Sequence, residues 1–237
     1  MRNDILEILD AQPTQHSLDW YRVRLGKFTG SEVGRLMKSG RGKDDTFSKD
    51  AIAYITEKVA ERMLNPSVVM MDDLFEEYLM QVTASSKAMA WGNDQELNAR
   101  TMYSKFTGRK VTSCGAIQFC EFFADSPDGL VMEYNGTIEI KCPSNKIHTE
   151  YLVSVHDAES LKALKPEYYW QCMAHMVAAS AEWCDWMSYC PFNSKPLHIV
   201  RIEHDGDAIG QMLTRVAMAE EVAKDIMNKI KNSGMLS

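Results

Sequence analysis

Residues 125–141 read DSPDGLVMEYNGTIEIK, and the fold turns on how that stretch is understood. A Ser-Pro-Asp-Gly turn precedes a short apolar run, and Asn135-Gly136 is a strong hairpin signal because both residues tolerate the positive φ of a type I′ turn. The expectation is a hairpin with strands at about 130–134 and 137–142. Side chains alternate faces along a strand, so Ile138 and Ile140 point one way while Glu139 and Lys141, about 6.6 Å apart by strand rise, point the other. Asp128, at the start of the neighbouring strand, reaches the same place. Two readings fit: a hairpin whose outer face is charged, or a site that holds a hard cation.

The second reading has a definite chemistry. Phosphodiester hydrolysis needs a cation that neutralises developing charge and lowers the pKa of an attacking water. Magnesium takes carboxylate and carbonyl oxygens and keeps several waters. Asp128, Glu139 and the backbone carbonyl of Ile140 supply such oxygens, and Lys141 is placed to orient the water and stabilise the charged transition state. An acid followed at loose spacing by Glu-x-Lys is weak by itself. The SPDG turn, the Asn-Gly turn and the Cys142-Pro143 that follows the lysine sharpen it.

The rest of the chain sets bounds. Its 237 residues suit one large α/β domain; 45% hydrophobic and 25% charged content match an ordinary globular protein rather than a disordered one. The opening MRNDILEILDAQ lacks the apolar core of a signal peptide, and no run approaches the roughly 18 apolar residues of a membrane helix, so a cytoplasmic protein without a membrane segment is expected. Six cysteines without a CxxC pair read as reduced and buried, against a zinc or iron–sulfur site. The net charge of −7 is the wrong sign for coating nucleic acid indiscriminately. Any DNA contact is therefore local, and the segment 19–43 is the candidate: Arg22, Arg24, Lys27, Arg35, Lys38, Arg41 and Lys43 face only Asp19 and Glu32 there. A solvated basic face is the other reading of that segment.

The first third reads as helical. Thr29 and Glu32 have the spacing of a capping box for a helix over about 31–38. Ile52, Ile55, Val59 and Met63 recur at helical spacing from Ser48 to about residue 64. Further helices are expected at about 68–82 and 86–106, the latter carrying Glu96 and stopped by Gly108. After the hairpin come helices at about 145–154 and from Pro166 through Ala179, strands near 183–190 and 197–203, and a terminal helix over about 208–231. That order suits an α/β fold, a mixed central sheet flanked by helices. His175, on an apolar helical stretch, reads as a core histidine, and the sixteen methionines as packing.

Four blocks in order, WYRVRLGKFTGSEV, WGNDQELNAR, SPDG and EIKCP, resemble the lambda-type phage exonucleases, or YqaJ-like viral recombinase nucleases, of the PD-(D/E)xK superfamily, over about 20–177. The resemblance implies a restriction-endonuclease-like nuclease core in one domain, helical over about 1–108 and sheet-containing over about 109–237. It implies a Mg²⁺-dependent exonuclease, with Mn²⁺ as a substitute, that degrades linear double-stranded DNA 5′→3′ and leaves 3′ overhangs for phage homologous recombination. By resemblance Asp128, Glu139 and the Ile140 carbonyl are metal ligands, Lys141 the catalytic lysine, Glu96 a helix-borne carboxylate near the metal and Gln171 an active-site glutamine. Arg24 and Ser31 match the pocket for the terminal 5′-phosphate; capping alone is the other reading of Ser31 and Thr29. A ring-shaped homotrimer and a phage single-strand annealing protein as partner are also implied. The family's acid upstream of SPDG has no clear counterpart, with Glu121 and Asp125 as substitutes. Two alternatives stay open: another PD-(D/E)xK nuclease of RecB-like or restriction type, and a DNA-end-binding scaffold without turnover.

Overall fold

The computed structural model describes residues 12–42, 45–83 and 87–233, so Lys43 of the basic segment and Ser86 as a helix start lie outside the described residues. Helix α1 (Leu18–Arg24), strand β1 (Phe28–Thr29) and helices α2 (Gly30–Leu36), α3 (Lys49–Arg62), α4 (Pro66–Met70), α5 (Asp72–Val82) and α6 (Lys87–Thr107) come first. Strands β2 (Ile117–Cys120), β3 (Phe123–Asp125) and β4 (Gly129–Val131), a 3₁₀ turn (Met132–Tyr134) and β5 (Gly136–Lys141) follow. Helices α7 (Asn145–Ser154), α8 (Ala158–Leu164) and α9 (Pro166–Ala179), strands β6 (Trp183–Tyr189) and β7 (Leu197–Glu203), and helix α10 (Gly206–Ser233) complete the order.

The strands form two mixed sheets flanked by helices rather than one central sheet. Four strands run in the order β4-β5-β6-β7, with β5 parallel to β6 and the outer pairs antiparallel. Three more run β1-β3-β2, with β1 parallel to β3. The two-residue β1 comes from the part that reads as wholly helical; it is too short for any periodicity to reveal.

Several local expectations are corrected. The Asn-Gly turn is not type I′. Asn135 takes the left-handed conformation at φ 50° and caps the 3₁₀ turn, so β4 ends at Val131. Gly136 already belongs to β5, where a Cβ would run into the Trp183 ring. The capping box at Thr29 is absent: Thr29 is the N-cap residue without a side-chain cap bond, and Glu32 pairs with Arg35 instead. The single helix expected over 68–82 is broken at Met71, whose ψ of 118° is extended. Ser48 does cap α3, accepting from the Ala51 N–H. Gly108, at φ 72°, stops α6.

The packing explains why β5 is buried on both faces. Ile138 and Ile140 join Ala99 and Tyr103 of α6 and Val131, Trp183 and Met187 in one apolar cluster. The opposite side of the sheet packs Cys184, Trp186 and Ile202 against α9 and, beyond it, against Val33, Leu36, Met212 and Val216 of α2 and α10. Each large side chain buried there contributes roughly 1.5–3 kcal/mol. Helix α9 starts with Pro166 at its first turn, where no N–H is needed. It lies between α2 and the sheet, and so every residue from Tyr169 to Met176 is buried. All six cysteines are free thiols, and no described helix is long and apolar enough to cross a membrane.

Candidate active site

Strand β4 pairs with β5 so that Gly129 lies opposite Ile138, which sets Asp128 level with Glu139 and Ile140. Asp128 Oδ2 accepts a hydrogen bond from the Ile140 backbone N–H at 2.6 Å. Lys141 Nζ pairs with Glu139 Oε1 and donates to Gln171 Oε1 at 3.1 Å, with the Tyr168 ring centre 4.6 Å from the ammonium. Asp128, Glu139, Ile140, Lys141 and Gln171 therefore meet in one place. Glu96 stands on α6, half-buried and paired with Arg100 one turn on, and its charge is felt at Asp128.

The carboxylates are tuned apart. Burial raises the Asp128 carboxyl well above the usual range, and the charges of Glu139 and Glu96 raise it further, only partly offset by Lys141 and His175. Burial would also raise Glu139, but Lys141 and His175 outweigh it and hold that carboxyl below its ordinary value. Burial works against the charge on Lys141, yet Glu139 and Asp128 keep its ammonium above its ordinary pKa. Asp128 and Glu139 lie close enough for each charge to act on the other, and a divalent cation between them would relieve that repulsion.

A hard cation fits these residues. Glu139 Oε1 is a buried anionic oxygen held, among the described residues, only by the Lys141 ammonium, and an anionic oxygen is the donor type a hard cation takes. Among the described residues no three His, Cys, Asp or Glu side chains converge on one metal position. Two carboxylates, a backbone carbonyl and water make a set that magnesium accepts.

Asp128 has a consequence for stability. A carboxyl with a raised folded pKa favours the fold while protonated, and that contribution is lost as pH rises through the folded value. Asp128→Asn keeps an oxygen for the Ile140 N–H and removes the charge. We expect it to raise the Tm of the metal-free protein at neutral pH by about 2–4 °C, equivalent to about 1 kcal/mol, measured by thermal unfolding in EDTA. An unchanged or lowered Tm would show that the charge cluster is not strained.

Two residues carry more than their sequence signal. His175 is fully buried, with Nε2 2.5 Å from Glu139 Oε2 and Nδ1 2.5 Å from Asp125 Oδ2. Burial pushes the imidazole down, but Asp125 and Glu139 outweigh it and hold its pKa well above the ordinary value, so both ring nitrogens donate. It is a core histidine by position and an ion-paired one by chemistry. Asp125 does not stand in for an upstream metal ligand at first hand, since it reaches Glu139 only through His175. Glu121, the other substitute, is 72% exposed and paired with Arg62 at 3.1 Å. The sequence signal for His175 is its place four residues after Gln171, on the same helix face.

Arg24 and Ser31 share one pocket of about 510 Å³, also lined by Thr29, Lys58 and Glu61. Two arginines of the basic segment that holds them are taken up in ion pairs. Arg22 pairs with Asp19 and Asp72, and Arg35 with Glu32, Asp50 and Glu57. Lys58 is taken by Glu57 and Glu61. Arg24 has no carboxylate partner among the described residues. It donates to Ser126 Oγ at 3.2 Å and lies 4.3 Å over the Trp20 ring, and burial works against its charge with Asp125 only partly offsetting. Trp20 Nε1 donates to the same Ser126 hydroxyl at 2.9 Å, so Ser126 ties this pocket to Asp128 two residues on.

Residues 19–182 match the YqaJ-like viral recombinase domain. Among solved structures, an alkaline exonuclease from Laribacter hongkongensis is similar at 28% identity and a TM-score of 0.72, over 92% of this chain and 98% of that one. A second structure of that exonuclease, in complex with dAMP, aligns equally well. A phage-related exonuclease from Haemophilus somnus 129PT shares the fold, with a TM-score of 0.66 at 14% identity over 86% of this chain and 96% of that one. No curated protein matches the chain.

Proposed function

We propose that this chain, which belongs to the YqaJ-like viral recombinase family, is a Mg²⁺-dependent exonuclease that shortens the 5′ strand of linear double-stranded DNA and leaves 3′ overhangs for phage homologous recombination. The observation that carries the reading is the meeting of Asp128, Glu139, Lys141 and Gln171 at the end of β5, joined through Ser126 to a pocket whose Arg24 guanidinium has no carboxylate partner among the described residues. The likeness to exonucleases along nearly the whole chain supports the same reading. A ring-shaped homotrimer and a single-strand annealing partner belong to the proposal by family resemblance.

Asp128, Glu139 and the Ile140 carbonyl would hold Mg²⁺ or Mn²⁺, with Glu96 adding charge nearby. The metal, when bound, supplies Lewis-acid stabilisation of the phosphate and an acidified water. Lys141 holds its positive charge next to the scissile phosphate's place and stabilises the oxyanion that develops there. Gln171 accepts from Lys141 and holds its ammonium beside Glu139. Arg24 meets the terminal phosphate with charge-assisted hydrogen bonds, and the hydroxyls of Ser31 and Thr29 complete that pocket.

Linear duplex labelled separately at each strand end, with and without Mg²⁺, tests the reading. The 5′ label should leave first as a mononucleotide, the 3′ label should stay on a shortening strand, and closed circular duplex should remain intact. Cleavage of the closed circle would favour a RecB-like or restriction-type endonuclease, and binding without cleavage would favour an end-binding scaffold. The pocket makes its own prediction. Each charge-assisted bond to a terminal phosphate contributes on the order of 1.5–3 kcal/mol, so a 5′-phosphate end should be digested at least about tenfold faster than a 5′-hydroxyl end. Arg24→Ala should erase that preference; equal preferences in wild type and variant would return Arg24 to a structural role.

A further inference from the structure

Beyond the proposed metal ligands, three groups among the described residues stand out, and one of them is held by independent contacts. Asp185 is buried, but Tyr103, Arg201 and Arg109 satisfy it as a structural pin between β6, β7 and α6. The stacked, partly exposed pair Trp91–Phe192 is an apolar surface to which no feature of the fold assigns an occupant. The chain of groups that begins at the α2 backbone and ends at Glu139 is different, because every link in it is buried and directed.

Gly30 donates its backbone N–H to Asp125 Oδ1 at 3.2 Å. Asp125 Oδ2 faces His175 Nδ1 at 2.5 Å, and His175 Nε2 faces Glu139 Oε2 at 2.5 Å. Asp125, His175 and Glu139 are exposed by 1%, 0% and 0% respectively, so water cannot replace any of these partners. The chain occupies one oxygen of Glu139, Oε2, and leaves the other, Oε1, on the side of the Lys141 ammonium with which it pairs. Gly30 is required at its position because a Cβ there would collide with the Asp125 carboxylate.

We infer that His175 and Asp125 are positioning residues for the proposed metal ligand Glu139. Asp125, fixed by the Gly30 amide, sets the imidazole plane, and the imidazole fixes the carboxylate so that only Oε1 is offered to a cation. The logic is that of outer-shell partners in metal sites, where a hydrogen bond to the non-ligating atom orients the ligand. It differs from the common arrangement in that the histidine orients a carboxylate rather than binding the metal itself. Because Thr29 and Ser31, the residues on either side of Gly30, line the Arg24 pocket, the anchor of the chain sits between the two halves of the site.

The inference rests on the proposed function, and its test separates the two. Mn²⁺ binding is measured by calorimetry on the full chain without DNA, and kcat and KM are measured on 5′-phosphorylated linear duplex. His175→Ala is expected to weaken Mn²⁺ binding and lower kcat by about 10–100-fold each, with KM for DNA within about twofold. His175→Gln, which can place an amide donor near the imidazole Nε2 position, should recover part of both. Should His175→Ala fail to fold, Gly30→Ala gives the same reading from outside the imidazole's own space, since its methyl displaces Asp125. Mn²⁺ affinity and kcat equal to wild type in a folded His175→Ala, or in Gly30→Ala where it is the one that folds, would overturn the inference. A loss shared equally by KM and kcat, with no recovery in His175→Gln, would also overturn it in favour of general damage. Wild type that neither binds Mn²⁺ nor digests linear duplex would instead sink the proposed function.

Discussion

Lys141→Ala should lower kcat by about 10²–10³ or more, the cost of removing one preorganised donor from a site of developing negative charge, while DNA affinity at fixed salt changes by no more than roughly fivefold, or about 1 kcal/mol. The asymmetry follows from where the charge sits. Lys141 Nζ is already paired with Glu139, so from a distance the pair contributes little attraction to a polyanion, and the variant loses little binding. Close to the reacting phosphate the ammonium acts over a short range within a half-buried site, where its charge is screened least. Single-turnover cleavage and filter binding on the same duplex measure the two quantities separately. Near-normal turnover would remove Lys141 from the mechanism, and a parallel collapse of affinity would make it a DNA-holding residue.

Glu139→Gln should abolish Mn²⁺ binding by calorimetry, and with it cleavage, because the amide cannot supply the anionic oxygen. The same substitution should also destabilise the protein by about 3–5 kcal/mol, the cost of breaking a buried ion pair from one side, since Lys141 and His175 both lose their charged partner. The sign comes from linkage. Glu139 has a depressed folded pKa, so its stabilisation is present above the ordinary carboxylate pKa and is lost as pH falls through the folded value. Asp128→Asn, with the opposite shift, is expected to stabilise while also losing metal. Two acids on one proposed site thus separate in thermal unfolding: a Tm fall of the order of 10 °C for Glu139→Gln against a small rise for Asp128→Asn. If both variants fall together, the charge on Asp128 is stabilising and the two carboxyls are not tuned apart.

Much of the site is legible in the sequence. Asp128, Glu139 and Lys141 can be read from one hairpin because strand alternation alone puts the last two on a common face, and the register of β4 against β5 then delivers Asp128 to them. Pro166 marks the first turn of α9, and Ser48 the cap of α3, because each signal acts within four residues of chain. Local signals also mislead. The Asn-Gly pair has the form of a type I′ turn, but Gly136 serves the close approach of Trp183, a residue 47 positions along the chain. The capping box at Thr29 loses its glutamate to Arg35, which gathers Asp50 and Glu57 from α3 as well. Charges that face only Asp19 and Glu32 along the chain meet several other acids in space, and the apparent basic face reduces in the pocket to Arg24.

Chain spacing alone sets which groups stand a fixed distance apart: Glu139 and Lys141 two apart on a strand, Gln171 and His175 four apart on a helix. Two strand residues rise about 6.6 Å and four helix residues about 6 Å, so the two pairs are nearly equal in span, but nothing in either segment says that they face one another. Their meeting is a matter of packing, which buries both faces of β5 and lays α9 against the one that carries Glu139. Gln171 then meets Lys141 while His175 meets Glu139. A buried charge must find a partner within hydrogen-bond reach, and that partner is chosen by packing across 30 to 50 residues of chain rather than by anything periodicity or spacing records.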